Sequence, residues 1–157
     1  MLIWPNLLKL LMNSKTNNMK EILLILTILF ANIAESLANE YKWKVLEVVD
    51  GDTIKVEIPN LPEELHASVR ILGIDTPEKD SRAKCDEENI LGHKATEYTK
   101  KIVKSAKSII FSEIKWDKYG GRILAKVTID GKDFAEQIIS EKLARPYFGD
   151  KKKSWCN

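Results

Sequence analysis

Four carboxylates stand where apolar stretches of this chain end. Asp50 and Asp52 flank Gly51 in VVDGDTIKV, and Asp75 and Glu78 close VRILGIDTPE. Strand ends that face one another across a barrel mouth bring such groups together. Carboxylates combined with backbone carbonyls and water make a hard, all-oxygen site suited to Ca²⁺ or Mg²⁺. Either motif alone reads equally well as a turn, because Asp-Gly and Asp-Thr-Pro are good turn formers. The arginines add a second kind of chemistry. Arg70 lies inside an otherwise apolar strand shortly before Asp75, where a charge is costly unless it pairs or points into a site. Arg122 follows Gly120-Gly121 in WDKYGGRILAKV, again at a strand start. A guanidinium fork matches a phosphate diester in charge and shape. Two such forks beside a metal would stabilise the crowded charge of a pentavalent phosphate transition state.

The elements that must position these groups can be read from periodicity. Residues 42–49 are rich in Val, Leu and Trp, and residues 53–58 alternate, with Ile54, Val56 and Ile58 on one face. Asp50-Gly51 between them is a preferred tight-hairpin pair. Pro59 and Pro62 mark a loop before a third strand over residues 67–74. Residues 92–107 change period. Ala95, Tyr98, Ile102 and Ala106 recur on one face of a helix, with Lys100, Lys101, Lys104 and Lys107 outside. Residues 108–115 and 123–129 form two more strands. Asp133 then caps a second helix, with Glu136 in the capping-box position, running to about Leu143 before Pro146. This order predicts an α+β fold, mainly β: a five-stranded Greek-key barrel of the OB type with peripheral helices. Other antiparallel α+β folds share the same element order.

Composition is permissive. The chain has 157 residues, 44% hydrophobic and 31% charged, which suits one packed domain with a short appendage. A formal net charge of +2 excludes a global basic field, so phosphate recognition must be local. Met19-Lys20, the apolar run over residues 22–34, and Ser36-Leu37-Ala38 together read as a secretory signal peptide. A membrane span needs roughly 20 apolar residues, and Asn32 and Glu35 interrupt this one. The expectation is a leader over residues 1–38, with translation starting at Met19, and a mature domain over residues 39–157, exported to the periplasm or the medium. An uncleaved run over residues 22–34 would instead anchor the chain to a membrane. The 2 cysteines, Cys85 and Cys156, form an even set in an exported segment, which predicts one disulfide; two free thiols are the alternative.

DGDT, VRILGIDTPE and DKYGGRILA, in this order, resemble the three signature segments of the staphylococcal nuclease family. The similarity extends over residues 42–147, including GHKATEYTKK and EKLARP. What the resemblance implies is a calcium-assisted nuclease on an OB-type barrel; the expected partner is nucleic acid, single-stranded or locally unpaired DNA, RNA, or both, with no obligate protein partner and a monomer as the default. By position, Asp52 and Asp75 match the family's carboxylate ligands, and Thr76 contributes a backbone carbonyl. Asp50 matches an acidic residue supporting the metal's hydration, and Glu78 the residue that activates or orients the attacking water. Arg70 and Arg122 match the phosphate-binding arginines, and Tyr119 a tyrosine of the nucleotide pocket. The paired glycines before Arg122 depart from a common single glycine. Cys85 and the terminal SWC resemble the paired cysteines of an exported bacterial branch.

Two other readings compete. One is a non-catalytic OB-type nucleic-acid-binding module using aromatic and basic surfaces; the other is a membrane-tethered interaction domain. The combined presence of Asp52, Asp75, Glu78, Arg70 and Arg122 favours the enzyme, because a binding module has no use for a water-activating glutamate. His66 and His93 lack triad-like neighbours and are expected to be non-catalytic. Trp43, Trp116 and Trp155 are expected to pack and the lysine-rich helix face to be solvated; residues 151–153 form a short basic tail, and Tyr147 and Phe148 are expected either to pack or to line the nucleotide pocket.

Overall fold

The computed structural model describes residues 39–62, 66–117 and 120–156. The expected leader over residues 1–38 and the nucleotide-pocket candidate Tyr119 lie outside the described residues. In chain order the elements are β1 (Lys44–Val48), β2 (Thr53–Glu57), β3 (Ala67–Ile71), β4 (Gly73–Asp75), a short 3₁₀ turn (Asp80–Arg82), α1 (Asp86–Ser105), β5 (Ile109–Trp116), β6 (Ile123–Ile129), β7 (Lys132–Asp133), α2 (Phe134–Ser140) and β8 (Arg145–Tyr147).

Alternation builds the main sheet. In β2, Ile54 and Val56 are buried while Lys55 faces water, and in β6 Ile123, Ala125, Val127 and Ile129 all point inward. The five main strands lie in the order β1-β2-β3-β6-β5. All contacts are antiparallel except β3 with β6, which run parallel. Just ahead of β1, Tyr41 exchanges two backbone hydrogen bonds of 2.8 Å with Phe111 of β5. That bridge joins the two edge regions, so the sheet curls on itself around a core that includes Phe111, Val69 and Ile54. Trp43 stacks on Phe111 with ring centroids 5.1 Å apart, a packing role as expected. The result is the expected OB-type barrel with peripheral helices.

Three local readings change. The third strand does not continue through residue 74. Gly73, at φ +84°, takes a backbone conformation open mainly to glycine, which breaks the strand and turns β4 away to pair with β8. Asp50-Gly51 is not a two-residue turn. The β1–β2 loop runs over residues 49–52, with the amides of Val49 and Asp50 both donating to the Thr53 carbonyl at 2.9 and 3.2 Å. Finally, α1 begins at Asp86, ahead of Gly92. Asp86, Glu87 and Glu88 occupy its first turn, where carboxylates are favoured by the helix dipole; a polar run of this kind carries no apolar period to announce it. Asp133 caps α2 as expected, accepting from the amides of Ala135 and Glu136 at 2.8 and 3.4 Å. That helix ends at Ser140, short of Leu143.

Candidate active site

The carboxylates are positioned by close packing of their loops on α1. A side-chain carbon on Gly51 would lie 2.8 Å from the Ala95 Cβ and 2.9 Å from the Thr76 Cγ2. Thr99 of α1 donates its hydroxyl to the Gly51 carbonyl at 2.9 Å. Gly51 is therefore required for space, and it lets the Asp50–Asp52 loop lie directly on the helix. Gly92 serves the same purpose for the next loop, since its missing side chain admits the backbone of Pro77 and Glu78.

Asp52, on the β1–β2 loop, and Asp75, at the end of β4, are both buried and converge on one cation. Arg70 reaches the Asp52 Oδ2 at 3.0 Å and the Asp75 Oδ1 at 3.5 Å through the same nitrogen. The Thr76 amide donates to the Asp52 Oδ2 at 3.2 Å, and the Thr53 hydroxyl to its Oδ1 at 3.0 Å. Asp50 accepts from the Asp52 amide at 3.2 Å. Burial pushes the Asp52 carboxyl up to about 6; Arg70 pulls it down, nearby Asp50 pushes it up again, and the Thr76 hydrogen bond opposes the rise. The fold thus concentrates negative charge where desolvation penalises it.

Glu78 sits at the edge of this cluster, about one-third exposed. Its Oε2 lies 3.3 Å from Arg82 Nε and its Oε1 3.6 Å from Lys152 Nζ. Its backbone amide donates to the buried Glu88 Oε1 at 3.4 Å. Arg82 also binds the Asp50 Oδ2 at 3.0 Å, linking the two acidic loops. Lys152 binds the Asp75 Oδ1 at 2.6 Å. Burial works against its charge, but the bond and attraction to Asp75 prevail and hold the ammonium above the usual lysine range.

Strand register explains the second arginine. In the parallel β3–β6 pair, Arg70 stands opposite Leu124, and Arg122 precedes Leu124 by one alternation, so both arginines fall on the same side of the sheet. Arg70, Glu78, Arg122 and Lys152 line one cleft of about 880 Å³, with Leu124, Tyr147 and Phe148 among its other walls. Arg122 is held by Asp117 at 2.8 Å, and the turn before it is closed by the Asp117 amide donating to the Arg122 carbonyl at 3.1 Å. The two-glycine turn therefore still delivers Arg122 to the cleft.

The structure brings together Asp50, Asp52, Arg70, Asp75, Thr76 and Glu78, and places Arg122 across the same cleft. Three participants were not anticipated: Arg82, Glu88 and Lys152. Cys85 and Cys156 are joined in a disulfide, as expected, which carries the C-terminal segment across the site. Trp155 is consequently more than a packing residue, donating from Nε1 to the Asp75 Oδ2 at 3.3 Å while its ring lies 3.7 Å from the Arg145 guanidinium carbon. Trp116, expected to pack, ends β5 and is 77% exposed. Phe148 is likewise exposed at the cleft wall.

An OB-type barrel with buried carboxylates and two cleft-lining arginines is the framework of a phosphodiester-cleaving hydrolase, and comparisons with known proteins agree. A family model described as staphylococcal nuclease homologue matches residues 68–155. The chain is 33% identical over 120 residues to a thermonuclease of Staphylococcus hyicus, covering 76% of this chain and 67% of that protein. It is 40% identical over 99 residues both to the SPbeta prophage-derived endonuclease YokF and to the endonuclease YncB of Bacillus subtilis, covering 62% of this chain. It spans only 31% and 44% of the length of these two relatives. The chain belongs to the staphylococcal nuclease family.

Proposed function

We propose that this protein is a calcium-dependent endonuclease that hydrolyses DNA, RNA or both by attack of water on the phosphodiester. The observation that carries the reading is the convergence of Asp52 and Asp75 on Arg70 at a cleft that Glu78 and Arg122 also line. A hard divalent cation fits this donor set: two buried carboxylates whose oxygens already meet at a positively charged nitrogen. Asp52, Asp75 and the Thr76 carbonyl would hold the ion, with Asp50 supporting its water shell. When bound, the ion polarises the phosphoryl oxygens and offsets their charge.

The chain's own residues do the remainder. Arg70 and Arg122 approach the cleft from neighbouring strands and bind the non-bridging oxygens of the phosphate, more tightly as charge accumulates there. Glu78, partly exposed and steered by Arg82, orients a water at phosphorus and takes up its proton. The new phosphorus–oxygen bond forms as the bond to the leaving sugar oxygen breaks, and a cleft arginine steadies that oxygen. Exposed Phe148 and half-buried Tyr147, which line the cleft, offer a surface on which an unpaired base can stack. We further propose that residues 1–38 direct export and that the domain acts as a monomer outside the cytoplasm.

The decisive test is digestion of single-stranded DNA and of RNA by the purified protein, with calcium and then with chelator. Cleavage that needs calcium and disappears in Glu78→Ala supports the whole reading. Tight nucleic-acid binding without cleavage in any divalent metal would make the barrel a binding module and remove the assigned roles.

A further inference from the structure

The segment after β8 returns over the acidic cluster and is pinned there at Lys152 and at Ser154–Cys156. Arg145 donates to the Ser154 carbonyl at 2.7 Å and lies over the Trp155 ring. Trp155 bonds Asp75, and Cys156 is bridged to Cys85 at the start of α1. Between these anchors, Lys152 projects its ammonium onto the Asp75 Oδ1 at 2.6 Å and toward Glu78 at 3.6 Å. Both Asp75 oxygens are thus engaged, one by Lys152 and Arg70 and the other by Trp155.

We propose that Lys152 is a tethered counter-cation of the calcium site, which holds Asp75 in the free protein and must leave before the ion binds. The inference rests on the reading of Asp52 and Asp75 as metal ligands. Charge is what carries it. The carboxylates of Asp50, Asp52, Asp75 and Glu78 face the cations Arg70, Arg82 and Lys152. A divalent ion on Asp75 would meet the Lys152 ammonium at the same Oδ1, and departure of Lys152 relieves that like-charge repulsion. Arg70 is the less exposed of the two cations on Asp75, with side-chain exposure of 13% against 43% for Lys152. Lys152 therefore has a solvent route out, on a flexible stem, while Arg70 stays with the barrel. The anchored tail keeps the ammonium at a high effective concentration, so Lys152 weakens calcium binding without blocking it.

The test is calorimetric titration of calcium chloride into the purified protein, comparing wild type with Lys152→Met, Lys152→Gln, Lys152→Arg and Asp75→Asn, each checked by thermal melting. Lys152→Met and Lys152→Gln should bind calcium roughly threefold to tenfold more tightly, the range for loss of a half-exposed, charge-assisted pair. Lys152→Arg should stay near wild type, and Asp75→Asn should bind far more weakly. Unchanged or weaker binding in the folded neutral variants, with wild type binding and Asp75→Asn deficient, overturns the role of Lys152 and leaves the metal site standing. Absence of calcium binding in wild type overturns both.

Discussion

Replacing Gly92 by alanine is the sharpest test of how the Asp75–Glu78 segment is positioned. An added methyl would lie 2.3 Å from the Glu78 carbonyl oxygen, 2.7 Å from its carbon and 2.9 Å from the Pro77 carbonyl oxygen. Ordinary contact begins at 3.4 Å, so helix and loop must separate by about 1 Å. The obstacle is backbone and cannot rotate aside. Overpacking of this kind costs about 1–3 kcal/mol, whereas alanine gains about 1 kcal/mol over glycine inside a helix. The net expectation is a loss of about 0–2 kcal/mol, measured by urea denaturation. The effect on catalysis should be larger, because Asp75, Thr76 and Glu78 share the displaced segment. A misplacement near 1 Å can cost on the order of 10²-fold in rate, read from initial rates on single-stranded DNA at saturating calcium. Gly131→Ala is the matched control. Gly131 has φ +79° and open space around the missing side chain, so alanine there costs about 1–2 kcal/mol in backbone strain yet should leave the rate unchanged. Wild-type activity in Gly92→Ala, or an equal rate loss in Gly131→Ala, would refute the reasoning.

Arg70→Ala and Arg122→Ala should each lower kcat by about 10²–10³-fold, the usual cost of one preorganised donor; a folded variant that keeps its rate has no phosphate role. Arg82→Ala should slow turnover roughly tenfold, as loss of a residue that orients a functional group does, with KM unchanged. Because Arg82 is 54% exposed at its side chain, its melting temperature should hardly move, and an unaltered kcat would remove it from the positioning of Glu78. Removing the Cys85–Cys156 bridge, whose cysteines are separated by 71 residues, should cost about 4 kcal/mol in the chain-entropy treatment. Urea titration of the double-alanine variant against wild type measures this, and equal midpoints would show that the bridge adds no stability.

What could be read in advance depended on the range over which each signal acts. The barrel strands were legible because β2 and β6 alternate within a few residues, and the Asp133 cap is a local hydrogen-bond pattern. Asp52, Arg70 and Asp75 were visible because charge beside apolar strands is expensive and must be compensated. Lys152 was hidden, since a lysine among lysines looks solvated, and only the disulfide and Trp155 bring it back to Asp75. Arg82 was hidden in a charged loop for the same reason. Gly92 was misplaced as a helix start because its purpose is clearance for another segment's backbone, and clearance has no sequence period. Gly51 did stand out, but its reason is the proximity of Ala95, not a turn angle.

The parallel contact between β3 and β6 has a consequence for the life of the chain before it is folded. Residues 69–71 meet residues 123–125 only after α1 and β5 have been laid down between them, a contact of long sequence separation that forms slowly. Arg70 and Arg122 share a cleft only once that contact exists, and the acidic cluster is completed by groups as distant as Asp50 and Lys152. No short stretch of the chain contains all of these groups. On the proposed reading, cleavage of nucleic acid therefore begins only at the moment the barrel closes.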